Sequence, residues 1–374
     1  MKNKKVYFFT NIIPPYRVFF YNLLEQIRTG TNFDFEVFFM RETESNRNWN
    51  IDLNDLKFKY KIGNGLYFDI KGFFFHFNPL LVRDLIKSGD EIILGGSWNN
   101  PNVMFIAFLK SIGLAKNTLS VWSEANYLTN ESQKKNKLRD FLKKWFFKQV
   151  DGKFIIPGEM AVKSFEKWNI PIHNIVFLPN VVSTSVFNTD TKKTIENEIP
   201  VFFLVARLEE NIKGIKNFME AIGIENLRKI NLKIAGTGSS YDDYAKYIRD
   251  NNLENNVKLL GNLTQEQIGE QYKNADVFLL PSFSDPSPLS IVEAISSGLP
   301  VFVSNRCGNH FETVAEGKNG YVFDPSNHAE IKDKFNKLMG RKNNWKEFSR
   351  ISLQLAVENF NPDIVIRKFI SSYE

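Results

Sequence analysis

The chain has 374 residues, 43% hydrophobic and 24% charged, with a formal net charge of +6. That length is comfortable for two globular domains, and the balance is neither that of a disordered chain nor that of a membrane-spanning one. No stretch approaches the roughly eighteen apolar residues of a spanning helix, and one cysteine, Cys307, excludes an intrachain disulfide and suits a reducing cytosol. The modest positive charge is compatible with anionic ligands or membrane surfaces without demanding either. The heavy use of Phe reads as compositional drift. The start, "MKNKKVYFFTNIIPPYR", has a run too short and too aromatic for a secretory signal.

In chain order, "KKVYFFT" (4–10) reads as a buried strand and 16–29 as an amphipathic helix. "DFEVFFM", "EIILGG", "TLSVWS", "GKFIIPG" and "NIVFLPN" are further strands, with helical segments expected between them. Each ends in small, polar or turn-forming residues, as where loops leave the carboxyl edge of a parallel sheet. The polar, aperiodic stretch "NTDTKKTIENEIP" (188–200) reads as an interdomain linker. The alternation then restarts with strands "VFFLVAR", "NLKIAGTG", "NVKLLG", "ADVFLLPS" and "LPVFVSN". Helices are expected over 214–224, 240–251, 264–273 and 288–297. Two rounds of strand–helix alternation imply an α/β chain of two doubly wound, Rossmann-like parallel-sheet domains. The expected domains are 1–187 and 188–360. Ligands of such sheets bind at strand carboxyl ends, so two domains would share a cleft there.

Four features fall at predicted strand ends. In "ARLEENIKG", Arg207 and Lys213 can neutralise a diphosphate, Arg as a bidentate fork and Lys as a point charge. Taken alone, beside Glu209 and Glu210, they read more simply as solvated loop residues. In "IAGTGSS", Gly236 and Gly238 let a backbone approach a ligand, although a tight turn accounts for them too. The third glycine of a dinucleotide fingerprint is missing, which excludes a Rossmann dehydrogenase. In "LLGNLT", Thr264 with Gln267 reads as a capping box. In "PSFSDPSPLSIVEAISSGLPV", Ser287 and Pro288 precede a helix whose free N–H groups and dipole favour an anion. Glu293 sits between Val292 and Ala294, where a carboxylate needs hydroxyl or cationic partners. The plainer readings are an exposed helix acid for Glu293 and a turn former for Asp285.

The order of these features over about 200–325, with "GLPV" and "GKNGYVF", resembles the retaining glycosyltransferases of family 4, which have the GT-B fold. Weaker similarity lies in "NIIPPYRVFFYNLL", "IIPGEMAVKSF" and "NIVFLPNVV". The last stretch, "FNPDIVIRKFISSYE", resembles the terminal helix that crosses back onto the first domain, here 361–374. The resemblance implies that Arg207 and Lys213 hold the donor diphosphate and that Glu293 binds the ribose hydroxyls. It sets Asp285 near the donor sugar and Pro288, Leu289 and Ser290 against phosphate or sugar. It sets Gly236 and Gly238 beside the nucleotide. Two departures stand out. Asp285 is one methylene shorter than the usual Glu, and Pro288 has no N–H to offer.

The glycine-rich turn of the first domain is replaced by "NIIPPYR", so Tyr16 and Arg17 are expected to line the cleft. None of His76, His173, His310 and His328 stands where the family's first-domain histidine does. Glu124 and Asn126, in "VWSEANY", are candidates to contact the reacting sugars, with helix capping the alternative for Glu124.

The implied reaction transfers a glycosyl group from a nucleoside-diphosphate sugar to an acceptor hydroxyl, with retention, in bacterial surface-polysaccharide assembly. No Asp-x-Asp occurs in the sequence, so metal-bridged diphosphate chemistry has no sequence support and no cofactor is expected. Expected partners are the sugar nucleotide and a glycan or lipid-linked glycan acceptor, not nucleic acid. A catalytically silent sugar-nucleotide-binding scaffold is the competing reading. The basic segment 132–150 reads either as a peripheral membrane contact or as a surface helix packed on the sheet. The expected location is the cytoplasm, or the inner face of the membrane.

Overall fold

The computed structural model describes residues 5–44, 52–70, 73–87, 90–130, 136–187 and 198–374. Most of the expected linker (188–197), and Lys134 and Lys135 of the basic segment, lie outside these residues.

The first domain is a seven-stranded, wholly parallel sheet in the order β3-β2-β1-β6-β7-β8-β9. Its strands are β1 (Lys5–Thr10), β2 (Asp34–Phe39), β3 (Tyr60–Ile62), β6 (Glu91–Gly95), β7 (Leu119–Trp122), β8 (Phe154–Ile156) and β9 (Ile175–Phe177). Between β3 and β6 comes an antiparallel hairpin of β4 (Leu66–Ile70) and β5 (Phe73–Phe77), followed by a helix, Pro79–Ile86. Sequence reading expects only helix there. "FFFHF" has no period-2 alternation, so its pairing with β4 is a tertiary choice that local pattern does not reveal.

The second sheet is also parallel, in the order β12-β11-β10-β13-β14-β15. Its strands are β10 (Val201–Val205), β11 (Asn231–Ala235), β12 (Val257–Gly261), β13 (Val277–Leu280), β14 (Val301–Ser304) and β15 (Gly320–Phe323). In both sheets the chain winds one way and then the other from a central pair, β1 and β6 in one, β10 and β13 in the other. That reversal opens a crevice at the carboxyl ends, where ligands of doubly wound sheets bind.

Both sheets are covered on two faces, which is why their strands are nearly continuous apolar runs. Val6, Phe8 and Phe9 of β1 and Phe202, Phe203 and Leu204 of β10 are buried. The helix Pro15–Ile27 buries Val18, Phe20, Tyr21, Leu24 and Ile27 against the first sheet. Its two starting prolines, Pro14 and Pro15, suit a helix entry because the first N–H groups have no intrahelical partner.

The last helix, Pro362–Ser371, packs on this same cluster. Phe369 lies 6.0 Å from Phe8 and 5.8 Å from Phe33, ring centre to centre. Burying one such side chain is worth about 1.5–3 kcal/mol. The chain's end therefore ties the second domain's helices to the first domain's core.

Candidate active site in the interdomain cleft

The second domain contributes the loops after β10 and β13, which flank its crevice. After β10 the expected helix 214–224 is in fact two. A single turn, Glu210–Lys213, ends at Gly214 in the left-handed region (φ 59°), and a second helix, Ile215–Ile222, begins there. A side chain at 214 would meet the Pro281 carbonyl at 2.8 Å, so glycine is needed for space as well as for φ. Glu210 accepts hydrogen bonds from the backbone N–H of Lys216 and Asn217 and from the Tyr244 hydroxyl. It is a cap, and it fixes the turn that carries Lys213.

Arg207 and Lys213 meet different fates. Arg207 is 49% exposed and ion-paired with Glu209. Lys213 is only 14% exposed and its Nζ lies 2.5 Å from Asp285 Oδ2, itself 17% exposed. For Arg207 the plain reading of a solvated loop cation describes its present state. For Lys213 it does not, because a lysine withdrawn this far from water needs its anion.

Asp285 is held in place by the loop after β14. The Asp285 N–H donates to the Arg306 carbonyl, and the Asp285 carbonyl accepts from the Gly308 N–H at 2.9 Å. A Cβ on Gly308 would sit 1.8 Å from the Pro286 carbonyl, so only glycine lets these loops cross. Asn309 Nδ2 donates to the Pro288 carbonyl at 2.9 Å. Cys307 lies buried beneath, its thiol pushed up to about 12 by burial, which makes it packing rather than chemistry.

This framework sets the start of the helix Leu289–Ser296, with Pro288 as its N-cap and Leu289 and Ser290 as its first residues. Ile291, Val292, Ala294 and Ile295 are buried against the sheet and the helix Trp345–Phe360. Glu293 points elsewhere. Its Oε2 accepts from the Tyr272 hydroxyl at 2.9 Å, and the same hydroxyl lies 3.0 Å from the Ser290 carbonyl. The hydroxyl that its setting demands is thus supplied by the chain's own Tyr272, packed edge-on against Phe203 and Phe187. Burial pushes the Glu293 carboxyl up to about 7, offset only in part by Tyr272.

Gly236 and Gly238 line the turn after β11. A side chain at Gly236 would meet the Ala206 carbonyl at 1.9 Å, and one at Gly238 the Leu208 carbonyl at 2.3 Å. Close approach of two backbone segments therefore accounts for both glycines. The expected capping box is present, with Thr264 and Gln267 bonded reciprocally.

The first domain supplies the opposite wall, a cavity of about 510 Å³ lined by Tyr16, Arg17, Glu124, Asn126 and Trp122 and reaching Pro286 of the second domain. The Arg17 guanidinium lies 3.6 Å from the Trp122 ring centre and 5.1 Å from that of Tyr16. Burial opposes its charge, but Tyr16 and Glu124 outweigh that and hold it above its ordinary value.

Arg17 bonds Glu124 Oε1 at 3.0 Å, and Asn180 Nδ2 donates to the same oxygen at 2.9 Å and to Ser287 Oγ at 3.2 Å. Glu124 is therefore not a helix cap. It is the middle of a polar chain running from Arg17 to the mouth of the helix Leu289–Ser296. Two more contacts cross the cleft: Asn126 Nδ2 to the Arg306 carbonyl at 3.1 Å, and the Glu159 N–H to Glu312 Oε1 at 2.7 Å.

Asn180 is the member of this chain that sequence reading passes over. It closes "NIVFLPN" at a strand end, the position where site residues concentrate, and that was the available signal. Tyr272 had none, because an aromatic at helical spacing reads as core.

Two Rossmann-like parallel-sheet domains, joined across a cleft by charged and polar side chains from their strand ends, define the GT-B architecture. Residues 186–352, most of the second domain, match the family described as Glycosyl transferases group 1.

The chain is 32% identical over 146 residues to spore coat protein SA of Bacillus subtilis, covering 35% of this chain and 38% of that protein. It is 22% identical over 244 residues to the Bacillus subtilis poly(glycerol-phosphate) alpha-glucosyltransferase, covering 64% of this chain and 35% of that protein. The chain thus spans well under half the length of these relatives. Among solved structures it superposes on Anabaena HepE in complex with UDP with a TM-score of 0.74 at 16% identity, covering 98% of both chains. It superposes on the lipopolysaccharide outer core galactosyltransferase WaaB with a TM-score of 0.73 at 17% identity, again covering 98% of both.

Proposed function

We propose that this chain transfers a glycosyl group from a nucleoside-diphosphate sugar to an acceptor hydroxyl, with retention. The observation that carries the reading is the polar chain Arg17–Glu124–Asn180–Ser287, which brings first-domain residues to the mouth of the helix Leu289–Ser296. The resemblance of 200–325 to retaining enzymes supports the stereochemistry.

In this reading the donor's diphosphate lies at that helix mouth, beside Lys213 and Arg207. Its departure develops negative charge, which the cations and the N–H groups of Leu289 and Ser290 stabilise. Arg207 leaves Glu209 for the phosphate, an inexpensive exchange for an exposed pair. Lys213 stays beside Asp285, which orients it and faces the donor sugar. Glu293 takes the ribose hydroxyls, with Tyr272 fixing its carboxylate. Glu124 faces the reacting sugars. The leaving phosphate accepts the acceptor's proton on the face it departs from, so neither a covalent intermediate on Asp285 nor a metal ion is invoked.

Assembly of a bacterial surface glycan is the proposed setting. It is supported by relatives and neighbours named for poly(glycerol-phosphate) and lipopolysaccharide glycosyl transfer. A peripheral membrane contact is proposed at the helix Lys137–Phe147, where Leu138 and Phe141 are 66% and 64% exposed beside several lysines. Of the stripe Leu138, Phe141, Leu142 and Trp145 expected to pack on the sheet, Leu142 and Trp145 are half-buried while Leu138 and Phe141 are exposed; the residues this helix buries are Phe146 and Phe147. No helix among the described residues is long and apolar enough to cross a membrane.

A thermal-shift screen of UDP-, GDP- and ADP-sugars tests the donor assignment. Stabilisation by one series is expected, lost in Glu293→Gln. The scaffold reading draws on the self-paired state of both cations. It predicts the same stabilisation without release of nucleoside diphosphate.

A further inference from the structure

The first-domain cavity has a second acid, Glu44, on its wall. Local structure brings it there. Past the end of β2, Met40 and Arg41 continue the ladder by donating to the Thr10 and Asn11 carbonyls at 2.9 and 3.0 Å, and the Glu42 carbonyl accepts from Ile13 N–H at 3.2 Å. The segment is thus carried over the carboxyl edge of the sheet, and Glu44 follows.

Behind Glu44 stands His76 of β5, with Nε2 3.1 Å from Glu44 Oε1. The side chains are 2% exposed for His76 and 10% for Glu44. His76 is itself fixed. Asn102 Nδ2 donates to its carbonyl at 2.9 Å, and Asn102 Oδ1 accepts from the next residue but one, the Asn78 N–H, at 2.6 Å. On the β4 side, the Tyr67 ring lies 5.1 Å from the His76 ring, and the Arg41 guanidinium stacks on Tyr67, 3.9 Å from its ring centre.

Withdrawing a carboxylate and an imidazole from water costs free energy that a well-packed apolar pair would not. The pair opens onto a cavity rather than filling one. One carboxylate oxygen is taken by His76, while a carboxylate offers about four acceptor positions. The same cavity is lined by Trp98, Trp168 and Glu124 and by Lys143, whose ammonium lies 4.0 Å from the Trp168 ring centre and 6.0 Å from that of Trp98.

Resting on the glycosyl-transfer reading, we propose that Glu44 accepts a hydrogen bond from a hydroxyl of the acceptor glycan, and that His76 is the positioning residue holding its carboxylate toward the cavity. It is an acceptor-recognition group, separate from the donor machinery of the second domain.

The test is binding to the full chain. UDP, GDP and ADP are the donor-site probes. Methyl α-glucoside, methyl α-galactoside and methyl α-N-acetylglucosaminide, followed by ligand-observed NMR, are the cavity probes. At least one glycoside is expected to bind the wild type. Glu44→Gln should weaken it about tenfold and His76→Gln by a smaller factor, with nucleotide affinity unchanged in both. Unaltered glycoside affinity in Glu44→Gln overturns the proposal, as does a wild type that binds a nucleotide but no glycoside. If glycosides bind in a Glu44-dependent way and no nucleotide binds, this inference stands and the donor reading fails. Should His76→Gln not fold, Glu44→Gln and Glu44→Asp carry the test.

Discussion

Lys213 Nζ and Asp285 Oδ2 lie 2.5 Å apart, from loops 72 positions apart in sequence and both mostly withdrawn from water. The pair joins the two crossings of the second sheet's crevice. Removing only the lysine leaves a poorly hydrated carboxylate without its cation. Lys213→Met is expected to lower stability by about 1–3 kcal/mol, and Lys213→Met with Asp285→Asn by less than the sum of the two single changes. Urea unfolding of the four proteins measures this coupling. Additive losses would mean that the two side chains act independently.

Asn180 donates from one nitrogen to both Glu124 and Ser287. Truncating it breaks the polar chain across the cleft without touching either sheet. Asn180→Ala should reduce acceptor-dependent turnover about tenfold or more while changing donor affinity little. Steady-state kinetics with each substrate varied separates the two effects. A change confined to the donor KM would assign Asn180 to the second domain's site alone.

Glu293 gives a pH dependence with a definite sign. Its folded value, about 7, is above the ordinary value of 4.5 because burial disfavours the carboxylate. The native state therefore holds a proton that the unfolded chain releases. Its contribution to stability is full below about pH 4.5 and is lost as pH rises through 7. Glu293→Gln, which keeps an oxygen for the Tyr272 hydroxyl, should match the wild type near pH 4.5. It should exceed the wild type by about 1–3 kcal/mol at pH 8. Thermal midpoints across that range check it, and parallel curves would remove the buried acid from the account. The same change should weaken nucleotide binding.

Much of this site was legible because it lies in local pattern. A helix following a Ser/Pro loop, one acid inside its apolar run and a lysine past a buried strand are all visible without coordinates. The boundaries of Leu289–Ser296 and the capping box at Thr264 follow from the same signals. Long-range partners were not legible. Glu293 demanded a hydroxyl, but nothing in the sequence nominated Tyr272, 21 positions away. Asp285 and Lys213 were separate candidates until the crossing of two loops paired them. The hairpin β4–β5 was missed because five residues with four phenylalanines carry neither helical nor strand periodicity, and with it went the setting of His76. Gly236 and Gly238 were found, but backbone crowding explains them without a ligand.

Leu138 and Phe141 project from the helix Lys137–Phe147. Replacing both with serine should leave the fold intact, since neither is in the core, and should reduce co-sedimentation with anionic phosphatidylglycerol vesicles several-fold. Neutralising the exposed Lys137 and Lys144 should do the same and should reduce the salt dependence. Equal sedimentation of all three proteins would remove the membrane contact and leave the transfer chemistry untouched.

The most direct measurement is release of nucleoside diphosphate from UDP-, GDP- and ADP-sugars by the purified chain, with and without excess EDTA. The account predicts release from one nucleotide series, undiminished by EDTA and reduced at least about a hundredfold in Lys213→Met. Tight nucleotide binding with no release from any donor, on any acceptor extract, would contradict it.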